Sequence, residues 1–181
     1  MADEILQKID QIKESGFRPC VIAVLVCNGK LGLFHSHKYP GYEFLQGGIN
    51  FGETPIETVE REALEEAGYW FYKGCNFPPK NVEFLFEEHM KTKVKETLLT
   101  ENGKQVNPEG KHYLVYLVEL NTVQVPEITA EDMDYLGSSV KFDKVVWADS
   151  ILANKLTSGI QNLIKRDIAK KAIDLAMQRL K

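Results

Sequence analysis

Hydrophobic and polar positions alternate along the chain with two periods, and the change of period predicts the elements. In residues 3–14 Ile5, Leu6, Ile9 and Ile12 recur at helical spacing within a polar stretch, which predicts a short amphipathic helix. The following segment, GFRPCVIAVLVCNGKLGLFHSHKY, is two apolar runs around Asn28-Gly29 and reads as strand, tight turn, strand. Residues 42–49 lead into a charged segment. Residues 82–90 and 112–120 have strand character, the second strongly apolar (YLVYLVEL). Between them residues 91–111 are polar and Lys-rich and predict a long loop or ribbon. Residues 123–139 are acidic and turn-rich, and residues 144–147 read as a short strand. A helix over 160–180 places Ile160, Leu163, Ile164, Ile168, Ala172, Ile173, Ala176 and Leu180 near one face. Lys165, Arg166, Lys170, Lys171 and Arg179 fall on the other, as a solvated face does.

Composition narrows the class. The 181 residues are 44% hydrophobic and 27% charged, which fits one domain with a sizeable core. No run approaches the roughly 18 apolar residues of a membrane span, and the polar, acidic start MADEILQKIDQIKES does not read as a signal peptide. Cys20, Cys27 and Cys75 are odd in number, widely spaced and outside any CxxC pairing. Reduced thiols in a cytoplasmic protein are therefore expected, not a zinc site or a disulfide framework. The net charge of −4 does not favour nucleic acid in bulk, and no DNA sequence reading is expected. A polyanionic substrate must be drawn by a metal ion and local basic residues. The chain has no internal repeat.

The densest chemistry lies in residues 47–69, GGINFGETPIETVEREALEEAGY. Thr54 suits an N-cap, Pro55 the first helical position, and Glu57 completes a capping box; Gly68 supplies a stop, so a helix is predicted over 55–67. At roughly 100° per residue, Glu62, Glu65 and Glu66 share one arc, while Ile56, Val59, Ala63 and Ala67 form the neighbouring apolar stripe. Glu60 falls near that stripe without an evident reason. Carboxylates this close repel one another, and hard oxygen ligands suit Mg²⁺ or Mn²⁺. An acidic solvated face is the plain alternative for E-x-x-E-E alone.

The whole pattern, G-x5-E-x7-R-E-U-x-E-E-x-G-U with U an apolar residue, resembles the Nudix box. Seven fixed positions at roughly 7% each arise by chance on the order of 10⁻⁶ times in such a chain. The resemblance implies an α/β fold, an α/β/α sandwich around a central mixed sheet. A single domain would span 1–181, with 1–15 a helical extension and 160–181 a closing helix. It implies hydrolysis of a diphosphate-linked substrate with two or three Mg²⁺, Mn²⁺ being able to substitute. Glu62, Glu65 and Glu66, with Gly47, would hold metal and act catalytically, and Glu53 would be an auxiliary acid. Arg61 would orient the carboxylates. Gly48 would let the backbone approach phosphate.

Three further segments, GFRPCVIAVLVCN, FLQGGIN, and KFDKVVWAD with IKRDIAKKA, resemble the bacterial RNA 5′-pyrophosphohydrolase and dinucleoside polyphosphate hydrolase branch. The substrate implied is a nucleotide or an RNA 5′ end. Arg18 matches an Arg near substrate phosphate, and Lys38 and Tyr42 join Gly48 as substrate-binding candidates. Phe44, Trp70, Tyr72 and Tyr113 are further aromatics able to stack a base, though aromatics dominate cores. His35 and His37 alternate on one strand, a weak sign of a metal. Two departures stand out. Leu45 replaces the branch's Pro, and Lys141 sits where the branch carries a Glu before Phe-Asp. Glu131, Asp132 and Asp134 are candidate replacement acids, or else part of a solvated turn. Sugar nucleotides and nucleoside triphosphates remain open as substrates. A nucleotide-binding module that has lost catalysis is the competing class, and an isomerase lacks its expected Cys. Oligomeric state is not legible.

Overall fold

Eleven consecutive residues, Phe17–Cys27 (β1), form the spine of the protein. The computed structural model describes residues 2–100, 102–122, 124–129, 131 and 141–181. β1 turns through Asn28 and Gly29, both at positive φ (51° and 72°), into β2 (Lys30–Ser36). That conformation is the reason an Asn-Gly pair stands there. β3 (Tyr39–Glu43) pairs with β2, and β4 (Leu45–Gly48) returns antiparallel along Cys20–Ala23 of β1. On its other side β1 runs parallel to β8 (Gly110–Glu119) over ten residue pairs. β8 is antiparallel to β5 (Asn81–Lys91), and β9 (Lys144–Ala148) joins β2. The result is one mixed seven-stranded sheet. The polar stretch before β8 is a ribbon with a small hairpin, β6 (Leu98–Leu99) and β7 (Gln105–Val106).

Alternation along β1 divides the core. Val21, Ala23, Leu25 and Cys27 face one layer of helices. It comprises α1 (Ala2–Glu14) through Ile9 and Ile12, α2 (Pro55–Glu62) through Val59, and α3 (Tyr69–Cys75) through Phe71 and Cys75. Cys20, Ile22, Val24 and Val26 face the other layer. It comprises α4 (Ser150–Thr157) through Ala153 and α5 (Leu163–Arg179) through Ile168, Ala169, Ala172, Ile173 and Ala176. Period-two side chains on a strand require this two-sided burial, and the expected α/β/α sandwich is the architecture observed. Burying Ile9 and Ile12, at roughly 1.5–3 kcal/mol each, ties α1 to the body.

Local differences from the sequence reading have physical causes. The box helix is α-helical only to Glu62, and Ala63–Ala67 form a π-helical turn. α3 and α4 are too short to carry a clear hydrophobic period and were not anticipated. The first turn of α5 leaves Leu163 and Ile164 exposed at 61% and 45%, so the apolar stripe begins at Ile168. Most of the acidic segment 123–139, including Asp132 and Asp134, lies outside the described residues. Among the described residues no helix is long and apolar enough to cross a membrane.

Candidate active site

The box helix starts as its sequence directs. Thr54 Oγ1 accepts the Glu57 N–H at 3.3 Å, Glu57 Oε2 accepts the Thr54 N–H at 2.8 Å, and Pro55 occupies the first turn. With Val59, Ala63 and Ala67 buried, the charged side chains are confined to the outer edges of the helix. Gly68 ends the π turn at φ 101°, a conformation that disfavours a side chain.

Arg61 is the hub of one half of the site. Its Nε and Nη2 donate to the two oxygens of Glu53 at 2.7 and 3.1 Å, a bidentate pair. Its Nη1 donates to Glu62 at 2.7 Å and Glu65 at 3.0 Å, and Nη2 also donates to the Gly48 carbonyl at 2.8 Å. Burial acts to raise the Glu53 carboxyl. Hydrogen bonds from Arg61, the Asn50 N–H and Thr58 outweigh it and hold the group at about 2. Arg61 thus joins the box helix to the strand before it and spaces three carboxylates.

Lys141 is the hub of the other half. Its ammonium lies 3.2 Å from Glu66 Oε1 and 3.0 Å from Glu43 Oε1. The chain fixes it there: the Lys141 and Phe142 N–H groups both donate to the Glu66 carbonyl, at 3.0 and 2.9 Å, and Phe142 is fully buried against Phe34. Desolvation pushes the Glu66 carboxyl up to about 7, against the pull of Lys141. Desolvation also raises Glu62, with Arg61 opposing it. Burial lowers Lys141, but Glu43 and Glu66 reverse that and raise it overall, so it stays cationic.

Both halves open on a cavity of about 630 Å³. Glu62, Glu66 and Glu43 contribute to its wall, as do Gly47, Gly48, Tyr42, Tyr113 and four lysines: Lys93, Lys111, Lys141 and Lys165. The two glycines are there because of space. A Cβ on Gly47 would overlap the Glu62 carboxylate, and one on Gly48 would overlap the Arg18 guanidinium. Arg18 itself reaches Glu96 at 2.8 Å. Glu65 is the outermost of the three box acids, with its side chain 56% exposed and 3.0 Å from Arg61, and it does not line the cavity.

Other sequence candidates lie elsewhere. Lys38 is exposed and Glu131 is exposed, and neither lines the cavity. Phe44 is core, Tyr72 stacks on Phe77, and Trp70 borders a separate groove. Tyr113 borders the cavity but is buried, and its hydroxyl is buried without a hydrogen-bond partner among the described residues. His35 and His37 both address Asp143, at 2.7 and 3.4 Å, so they brace the 141–143 segment. Glu43, Lys93, Lys111 and Lys165 were missed. Lys165 belongs to the basic face read as solvated. No local pattern marks Glu43, which only the β2–β3 pairing brings to the box.

Among the described residues no group of three His, Cys, Asp or Glu side chains converges on a point. The donor chemistry nonetheless fits a hard divalent cation. Glu62 and Glu66 line one cavity, and Mg²⁺ ordinarily takes one or two carboxylates, water and substrate phosphate.

A family model for the NUDIX domain matches residues 16–149. An RNA pyrophosphohydrolase of Histophilus somni is 30% identical over 109 residues, covering 57% of this chain and 52% of that protein. One of Yersinia enterocolitica is 39% identical over 59 residues, 32% of this chain and 33% of that protein. The chain thus spans about half of the length of the first of these curated relatives and a third of the second. Among solved structures, the E. coli dihydroneopterin triphosphate pyrophosphohydrolase superposes with a TM-score of 0.53 at 11% identity, covering 87% of this chain and 97% of that one. An ADP compounds hydrolase gives 0.54 at 16% identity, covering 90% and 74%. These likenesses show the fold, and with the box geometry and the family match they establish that the chain belongs to the NUDIX family.

Proposed function

We propose that this protein is a divalent-metal-dependent pyrophosphohydrolase that cleaves a phosphoanhydride bond in a nucleoside-diphosphate-linked substrate. An RNA 5′-polyphosphate end is the favoured substrate and a dinucleoside polyphosphate the next. The observation that carries this is the single cavity with box carboxylates Glu62 and Glu66 on one wall and Lys93, Lys111, Lys141 and Lys165 around it. Carboxylates that accept protons and metal, facing ammonium groups that attract phosphate, are what anhydride hydrolysis needs. The RNA pyrophosphohydrolases among the relatives point the same way. The three cysteines are free and buried, which suits a cytoplasmic protein.

Glu62, Glu65 and Glu66 would hold Mg²⁺ or Mn²⁺, which when bound supplies charge neutralisation and a more acidic water. The chain's own groups do the rest. Glu66, on the cavity wall beside Lys141, would accept the proton of the attacking water. The water oxygen forms a new P–O bond, the bridging P–O bond breaks, and the leaving phosphate departs as an anion among the lysines. Arg61 keeps Glu53, Glu62 and Glu65 in register. Tyr42, which lines the cavity, is the aromatic side chain that would meet a base or sugar.

The test is a panel with Mg²⁺: 5′-triphosphate RNA, diadenosine tetraphosphate, ADP-ribose and free nucleoside triphosphates. Release of diphosphate or phosphate from RNA ahead of the others is expected, and no turnover of any member would reject the proposal. The ion pair between Lys141 and Glu66 favours a second reading, a nucleotide-binding module without catalysis. Tight nucleotide binding with no turnover would select it.

A further inference from the structure

Lys141 stands where a cation would otherwise have to be recruited. Glu66 and Glu43 come from different elements, one at the end of the box and one on β3, and the ammonium bridges them at 3.2 and 3.0 Å. Lys165 lies 3.9 Å from the other oxygen of Glu43. The bridge does not depend on a flexible side chain finding a surface partner. The backbone of Lys141 and Phe142 is hydrogen-bonded to Glu66 itself, and the Asp143 N–H donates to the His35 carbonyl at 3.1 Å. Ammonium and carboxylate are therefore carried on the same piece of backbone.

The local charges divide unequally. On the Arg61 side one guanidinium serves Glu53, Glu62 and Glu65, which leaves an excess of two negative charges. On the Lys141 side two ammonium groups serve Glu66 and Glu43, which leaves none. A divalent ion placed between Glu66 and Glu43 would meet an ammonium at contact distance. At about 4 Å two such charges repel strongly wherever water is excluded.

We propose that Lys141 is a built-in cation that takes the place of a second divalent ion between Glu66 and Glu43. Because Lys141 lies within 3.3 Å of both Glu66 oxygens, the protein alone then binds one divalent ion, on the Arg61 side where two negative charges are left over, and Glu43 is a partner of Lys141 and not a metal ligand. This rests on the functional reading above for the metal, but it makes a separate claim about number.

The test counts Mn²⁺ per chain on the 181-residue chain, from the electron paramagnetic resonance signal of the free ion, without substrate. The wild type should saturate with one Mn²⁺. Lys141→Met should take two, because Glu66 and Glu43 are uncovered. Adding Glu43→Gln to Lys141→Met should return the count to one. Lys141→Arg keeps the charge and should stay at one. Circular dichroism and melting establish that each variant is folded, and Lys141→Arg supports the assay should Lys141→Met fail to fold. A Lys141→Met protein with the wild-type Mn²⁺ count overturns the proposal, as does a Lys141→Arg protein that gains an ion. Absence of diphosphate hydrolysis in the wild type, with the counts as expected, would defeat the functional reading and leave this one standing.

Discussion

At the residue scale the site is governed by two cations that each hold several acids, and their chemistry is not interchangeable. Arg61 donates in a planar fork to Glu53 while also reaching Glu62, Glu65 and the Gly48 carbonyl. A lysine cannot reproduce that fork. Arg61→Lys should therefore lower both the melting temperature and turnover, the latter by about 10–100-fold if misplaced box acids cost as much as a typical positioning error. Glu53 is held at about 2, below its unfolded value near 4.5. Its contribution to stability is present above pH 4.5 and is lost as pH falls towards 2, so Glu53→Gln should flatten the acid limb of a pH-melting curve. Glu66 has the opposite sign. Raised to about 7 by desolvation, it favours the folded state only in its protonated form, and that advantage fades as pH rises from 4.5 through 7. Metal-free Glu66→Gln should match the wild type in melting temperature below pH 4.5 and exceed it at pH 8. Metal-dependent turnover should drop by about 10²–10⁴-fold, the usual worth of general base catalysis. Near-normal turnover would remove Glu66 from the mechanism.

At the scale of elements, what was legible in the sequence is what is decided locally. The start of α2 is an example: Thr54, Pro55 and Glu57 define a cap within four residues, and the bonds they predict are present. Thr54→Ala should cost about 0.5–2 kcal/mol, measurable by denaturant titration. The Asn28-Gly29 turn was equally legible, since both residues must take positive φ. β1 and β8 were found from their apolar runs because both are buried on both faces, while the short strands β3 and β4 carry no such run and were not read as strands. The π turn at Ala63–Ala67 was not legible. Nothing in ALEEA distinguishes it from an α turn, and π turns form where tertiary contacts support them. α3 and α4 escaped for a related reason: with seven and eight residues, they owe their stability to Phe71, Cys75 and Ala153 in the core and not to propensity.

At the scale of the whole molecule the site joins segments far apart in sequence. Glu43 from β3, the box, Lys111 from β8, Lys141 before β9 and Lys165 from α5 share one cavity. One-dimensional spacing could reveal only the box, because the other groups converge through strand pairing and helix packing. That assembly gives a protein of net charge −4 a local basic wall, and the consequence is measurable. If the substrate is the proposed RNA 5′ end, its attraction must come from Lys93, Lys111 and Lys165 and not from a long-range field, which is screened within about 10 Å at 0.1 M salt. Each phosphate neutralised on a single strand contributes about −0.7 to the slope of log affinity against log salt. With kcat/KM for 5′-triphosphate RNA as the readout, the wild type should lose activity with rising salt on a slope of a few phosphate contacts. Lys111→Met with Lys165→Met should shallow that slope by about 1–1.5 and raise KM. An unchanged slope in the double variant would place the RNA on another face and leave the basic wall serving only the diphosphate.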